Sequence, residues 1–215
     1  MAFTGLVRPT VAKLDESSGT PKYTGKASCG KAIQLTVTVT YAEGSLYGDD
    51  GQAEYDREFS YADLVLNTTT LPPEVHNTMF GHTVTTDTEK SIKDLSSDEA
   101  PYVGFGIYVP QKVNGKRSYM AIWFHKVKFT EADETYNTKA DSITYNTPSV
   151  NGRAVALDTG EWRERQFFDT AAEAQAWIDE KAGSGEPGSA AQTSVVSNGA
   201  SAGAQTAKAT ASSMN

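Results

Sequence analysis

Ile33-Gln-Leu-Thr-Val-Thr-Val-Thr-Tyr41 is the stretch that decides the fold class. Ile33, Leu35, Val37, Val39 and Tyr41 fall on one side of an extended chain, and Gln34, Thr36, Thr38 and Thr40 on the other. That period of two belongs to a strand with one buried and one wet face, and the β-branched content suits a sheet. Downstream, Ala42-Glu-Gly-Ser-Leu-Tyr-Gly-Asp-Asp-Gly51 reads as a glycine-rich acidic loop reaching to about Arg57. A second, less regular strand is expected from Glu58 to Leu66, carried by Phe59, Tyr61 and Leu64.

Further strands follow. Pro101 to Pro110 and Arg117 to Phe129 read as two arms of a hairpin, joined through Asn114-Gly115, a pair that favours a tight turn with positive φ. Ser142 to Thr147 and Arg153 to Leu157 are expected as short strands, with Asn151-Gly152 as the turn between them. Trp162 to Phe168 is the last strand expected.

Helix is scarce. Pro72-Pro73 followed by Gly81 frames a short helix, with proline in its first turn and glycine just past its end. Thr170-Ala-Ala-Glu173 is a capping box. Ala174, Trp177, Ile178 and Lys181 then recur at helical spacing, so Trp177 and Ile178 are expected to dock this helix on the body. The expectation is a mainly β fold with one flanking C-terminal helix and a short helix after Pro72.

Composition changes near Gly183. Ala, Ser, Gly and Thr make up 23 of the 33 residues from Gly183 to Asn215, and only Glu186 and Lys208 are charged there. Such a segment buries too little apolar surface to offset its ordering entropy. The organisation is therefore a β domain over 1–182 and a low-complexity extension over 183–215. All of the net charge of −8, from 19 basic and 27 acidic residues, belongs to 1–182.

That acidity argues against a protein that grips nucleic acid by neutralising phosphates. No stretch approaches the roughly 18–20 apolar residues of a membrane span, and the opening residues lack the pattern of a secretory leader. Folding in a cytoplasm is expected. The single cysteine, Cys29, allows no internal disulfide, and the three histidines (His76, His82 and His125) are far apart in sequence without metal-site spacing. Gly25-Lys26-Ala27-Ser28 lacks the glycine and the hydroxyl placement of a phosphate loop. Gly104-Phe-Gly106 lies within a strand and reads as close packing or a bulge, not as a dinucleotide fingerprint. The carboxylates at Asp49, Asp50, Glu54, Asp56 and Glu58, and at Glu131, Asp133 and Glu134, read as solvated groups, and the first cluster lacks a calcium-loop frame. No catalytic, cofactor or metal site is expected, and no enzyme.

Several segments carry a resemblance. They are Phe3-Thr-Gly-Leu-Val-Arg-Pro-Thr-Val-Ala-Lys13, Gly30 to Tyr41, Phe80-Gly-His-Thr-Val84, Ala100-Pro-Tyr-Val-Gly-Phe-Gly106, Tyr119 to Phe129, Ser142 to Pro148 and Trp162 to Thr170. In their order and spacing over about residues 3–180 they resemble the major tail proteins of long-tailed bacteriophages, the subunits that stack into a tail tube. The resemblance implies a β-sandwich or half-barrel subunit, closed into hexameric rings whose sheets join around a channel. It implies stacking through an N-terminal arm (1–30) and a long loop (about 42–57), so Tyr47, Asp49, Asp50, Tyr55 and Asp56 are expected at the ring contact. The implied partners are further copies of the chain, a tape-measure protein, and tail terminator and distal tail proteins. DNA is expected to pass through without specific binding, past acidic side chains, in a virion tail assembled in the host cytoplasm. Relatives often carry an extra C-terminal immunoglobulin-like module, which is not expected of the Gly/Ser/Ala-rich segment 183–215. Two other readings stand beside this one: an acidic β-sandwich binding or adhesive module, with Tyr41, Tyr47, Tyr55 and Tyr61 as aromatic platforms, and a capsid decoration or head-tail connector protein.

Overall fold

The most continuously buried part of the chain is a hairpin made by Tyr102–Val113 (β8) and Lys116–Glu131 (β9), and the rest of the molecule is built on its two flanks. A computed structural model of the chain describes residues 2–85, 91–131, 138 and 146–183. Asn114 and Gly115 close the hairpin with φ of 49° and 82°, the pair of positive values that a tight turn between twisted strands requires. Along β8, Val103, Phe105, Ile107 and Val109 point to one side, while Gly104, Gly106 and Tyr108 point to the other. Both sides are covered, which explains the unbroken burial.

The remaining strands are Ala2–Phe3 (β1), Val7–Asp15 (β2), Lys22–Ser28 (β3), Ala32–Gly48 (β4), Gly51–Thr68 (β5), Ser149–Val155 (β10) and Arg163–Phe168 (β11). All pairings are antiparallel, in the order β3-β2-β8-β9-β10-β5-β4, with β1 added beside β8 and β11 beside β9. Thr83–Thr85 (β6) and Ser91–Lys93 (β7) make a separate small ribbon. The expected mainly β fold with a flanking helix is what the chain adopts, as one large sheet.

That sheet is rolled. The Cys29 amide donates to the Pro9 carbonyl on β2, and the Lys31 carbonyl accepts from the Thr69 amide just past β5, each at 2.9 Å. In a flat sheet Cys29, in β3's place beside β2, and Lys31, in β4's place beside β5, would lie at opposite margins, six strand positions or about 28 Å apart. Two residues of chain span at most about 7 Å. The sheet therefore curls round so that its two margins approach at this corner. Gly30 sits at the junction with φ 73°, and a β-carbon there would lie 2.5 Å from the Thr70 carbonyl oxygen. Val11, Leu64, Leu66, Phe105, Phe124 and Phe129 fill the interior. Pro73–Phe80 (α1) adds Val75, Met79 and Phe80 to it and stops at Gly81 with φ 82°.

The second helix, Ala171–Lys181 (α2), lies outside the curl. Its capping box is formed as expected: the Thr170 hydroxyl accepts from the Glu173 amide and the Glu173 carboxylate accepts from the Thr170 amide. Trp177, Ile178 and Ala174 pack on Ala12, Tyr108, Ala121 and Trp123. Each of the two large side chains contributes about 1.5–3 kcal/mol through burial.

Several expectations are corrected. Residues 1–30 are not an arm: Val11 and Ala12 are fully buried, so β2 and β3 belong to the sheet. Asn151-Gly152 is not a turn but the middle of β10, because a side chain at Gly152 would collide with the Phe129 ring 2.7 Å away. Ile33 does not share the buried face; a bulge between Ala32 and Gln34 leaves it half exposed, at 50%. Of Ser142 to Thr147, only Asn146 and Thr147 are described, and neither is in a strand. Asp133, Glu134 and the extension beyond Gly183 lie outside the described residues.

Candidate functional site

The stretch from Ala42 to Arg57, expected as a loop, is strand throughout apart from the turn at Asp49-Asp50. It forms the outer half of the β4–β5 hairpin, paired Ala42↔Glu58, Glu43↔Arg57, Gly44↔Asp56, Ser45↔Tyr55, Leu46↔Glu54, Tyr47↔Gln52 and Gly48↔Gly51. The body's next strand, β10, joins β5 only from Ala62 to Asn67. Beyond that point, among the described residues, the ribbon pairs with itself alone. Its tip turns at Asp49 and Asp50, with φ of 46° and 60°. Aspartate tolerates this region better than most residues because its short side chain can bond locally.

The root of the ribbon is anchored by aromatic rings. Phe59 stacks on Trp162 with centroids 4.5 Å apart and planes 13° off parallel, and Tyr41 meets Phe59 edge-on at 6.5 Å. The Arg57 guanidinium lies 3.8 Å over the Tyr41 ring and 3.4 Å from the Glu43 carboxylate. A bulge at Ser60, where Thr40↔Tyr61 gives way to Tyr41↔Phe59, sits where the ribbon leaves the body. Bulges bend a strand and tighten its twist.

Outward from the root every residue whose burial is described is exposed. The register sorts the ribbon into two unlike faces. Tyr41, Glu43, Ser45, Tyr47, Gln52, Tyr55 and Arg57 share one; Ala42, Gly44, Leu46, Glu54, Asp56 and Glu58 share the other. The first displays three tyrosines, with Tyr47 71% and Tyr55 53% exposed. The second sets a row of three carboxylates beside small residues and Leu46, which is 60% exposed. From Tyr41 to Glu58 six carboxylates face one arginine, so five of the chain's eight net negative charges sit here. A two-stranded ribbon is at best marginally stable by itself.

Of the other residues picked out from sequence, Gln34, Thr36 and Thr38 are exposed on the sheet's outer face, while Thr40 is half-buried beside the bulge. That face continues across the sheet as Thr38, Asp63, Arg153 and Lys128 in adjacent register positions. Arg153 Nε lies 2.9 Å from Asp63 Oδ1, Lys128 Nζ 3.3 Å from Glu99, and Lys126 Nζ 2.6 Å from Glu16. The outer face is thus charge-balanced and not acidic. Trp177 and Ile178 dock α2. Cys29 is fully buried, and burial pushes its thiol up to about 12, so it is protonated at neutral pH.

Sequence reading missed a cluster of histidines. His76 on α1 and His82, one residue past its cap, bring their rings to 6.2 Å, and Glu131 at the end of β9 reaches both. His82 Nδ1 is 2.9 Å from Asp98 Oδ2 and its Nε2 is 3.1 Å from Glu131 Oε1. Burial works against charge on this imidazole, but Asp98, Glu131 and Asp94 together outweigh it and raise its pKa. The signal was a spacing of six residues across a helix end, which no standard ligand motif uses. Among the described residues no helix is long and apolar enough to cross a membrane. The sequence matches no known protein-family model, and no curated protein matches it.

Proposed function

We propose that this chain is the tube subunit of a long-tailed bacteriophage tail, a structural protein that closes into hexameric rings and stacks them through the β4–β5 ribbon. The observation that carries the reading is the ribbon itself. Among the described residues nothing covers its tyrosine face or its carboxylate face, as suits an element that folds against a neighbouring copy. Two further features support it. The resemblance runs along the chain in order, and among the described residues the outer strands β3 and β4 each pair on one side only, leaving backbone edges that a ring of copies would pair. The lumen would hold a tape-measure protein during assembly and later conduct DNA without specific binding, in the virion tail, with terminator and distal tail proteins at its two ends.

The test is a ribbon truncation. Gly44–Asp56 is replaced by Asn-Gly, joining the paired residues Glu43 and Arg57 through a two-residue turn. Negative-stain microscopy should show hollow tubes for the natural chain and dispersed, folded subunits for the truncated one. Tubes of normal appearance from the truncated chain would overturn the proposal.

A second reading, an acidic binding module, rests on Tyr41, Tyr47 and Tyr55 sharing one exposed face. It predicts that the natural chain stays dispersed and that Tyr47→Ala abolishes ligand binding. Single rings without stacking would instead favour a connector.

A further inference from the structure

We propose that His76, His82 and Glu131 form a binding site for one zinc ion, which clips α1 to the end of β9. The inference is independent of the tube reading, since it concerns a corner of the molecule away from the ribbon. One ligand atom from each residue lies within 4.8 Å of the other two. Glu131 Oε1 is 3.1 Å from His82 Nε2 and 3.9 Å from His76 Nδ1. A tetrahedral zinc ion with bonds of about 2.0–2.1 Å holds its ligand atoms about 3.3 Å apart, so side-chain shifts of at most about 1.5 Å complete the set. Two imidazoles with one carboxylate favour zinc over magnesium or calcium, which take oxygen.

The surroundings orient the central ligand as a metal site requires. Asp98 Oδ2 accepts from His82 Nδ1 at 2.9 Å and also from the Leu95 amide at 2.9 Å. That fixed carboxylate holds a proton on Nδ1 and so leaves Nε2, 3.1 Å from Glu131 Oε1, as the nitrogen that would give up its proton to bind the ion, the arrangement that positions metal-bound histidines. His82 is 8% exposed, so its place is set by packing, whereas Glu131 reaches in from the surface. The described residues supply three ligands, and water would take the fourth position. Zinc and a proton compete for Nε2, so binding releases a proton and weakens in acid.

The test uses the full chain without a histidine tag. Cobalt(II), a coloured substitute for zinc, is titrated in and followed by visible absorption, and zinc by calorimetry. One ion per chain is expected, with a zinc-dependent rise in Tm. Asp98→Asn should weaken binding about 10–100-fold, and His76→Gln or Glu131→Gln at least as much. Both of the latter positions are accessible enough to keep the fold, checked by circular dichroism. Absence of stoichiometric binding to the natural chain, or unchanged affinity in both His76→Gln and Glu131→Gln, overturns the proposal.

Discussion

At Gly106 a β-carbon would lie 2.6 Å from the Trp123 ring and 2.8 Å from Ile178 Cγ2, so the helix α2 rests where a side chain would be. Gly106→Ala must push ring and helix apart, at a cost of about 1–3 kcal/mol, readable as a lower urea midpoint. An unchanged midpoint would mean that α2 is loosely seated. The sequence made this glycine legible, because a strand interior has no other use for it. Asn151-Gly152 was not legible in the same way. It has the composition of the true turn at Asn114-Gly115, and what separates them is the Phe129 ring on another strand. His125 gives the pH prediction at this scale. Burial lowers its pKa from 6.5, Glu161 and Glu164 partly offset this, and Lys181 adds to it. The unfolded chain takes up a proton near pH 6.5 while the folded chain resists, so the stability held by neutral His125 is complete above that pH and falls as pH drops through the folded value. His82, with its raised pKa, has the opposite slope, and its share is lost as pH rises. The urea midpoint of the natural chain relative to His125→Gln should therefore shrink between about pH 7.5 and pH 5. A difference independent of pH would sink the assignment.

Among the elements, α2 was the most legible because its signals are local: a capping box, then apolar residues at helical spacing. Thr170→Ala removes the hydroxyl that accepts from Glu173 and should cost about 1 kcal/mol. A loss below a few tenths would show that packing alone sets the start of the helix. The outer β4–β5 ribbon was the least legible. Sequence patterns identify strands by the contrast between a buried and a wet face, and this ribbon buries neither. Its glycines and acids are also residues that strands disfavour. The same lack of burial that hid the strands from sequence is what makes the ribbon a contact surface in the proposed assembly. The strands β2 and β3 were missed for a different reason. Pro9 and the bulge between Val7 and Thr10, with Arg8 at φ 52°, break the alternation just where β2 begins. The histidine cluster was hidden because its members come from a helix, a cap and a distant strand end.

For the whole molecule, the placement of charge matters more than its sum. The net −8 is concentrated on the ribbon, whereas the sheet's outer face balances Asp63, Glu16 and Glu99 against Arg153, Lys126 and Lys128. Positive charge gathers at the β8–β9 turn, where Lys112, Lys116 and Arg117 have no carboxylate partner within salt-bridge distance among the described residues. In the proposed tube this asymmetry draws each acidic ribbon to basic surface on a neighbour. Attraction between exposed charges is screened by salt, the Debye length falling from about 10 Å at 0.1 M to about 3 Å at 1 M. Two consequences follow for polymer growth measured by light scattering. Growth of the natural chain should slow as salt rises, and the variant Glu54→Gln/Asp56→Asn/Glu58→Gln should grow slowly at low salt with little further change on adding salt. If the variant grows like the natural chain and neither responds to salt, ribbon docking is carried by Tyr41, Tyr47, Tyr55 and Leu46. The acidic row then serves only to keep the free ribbon in solution.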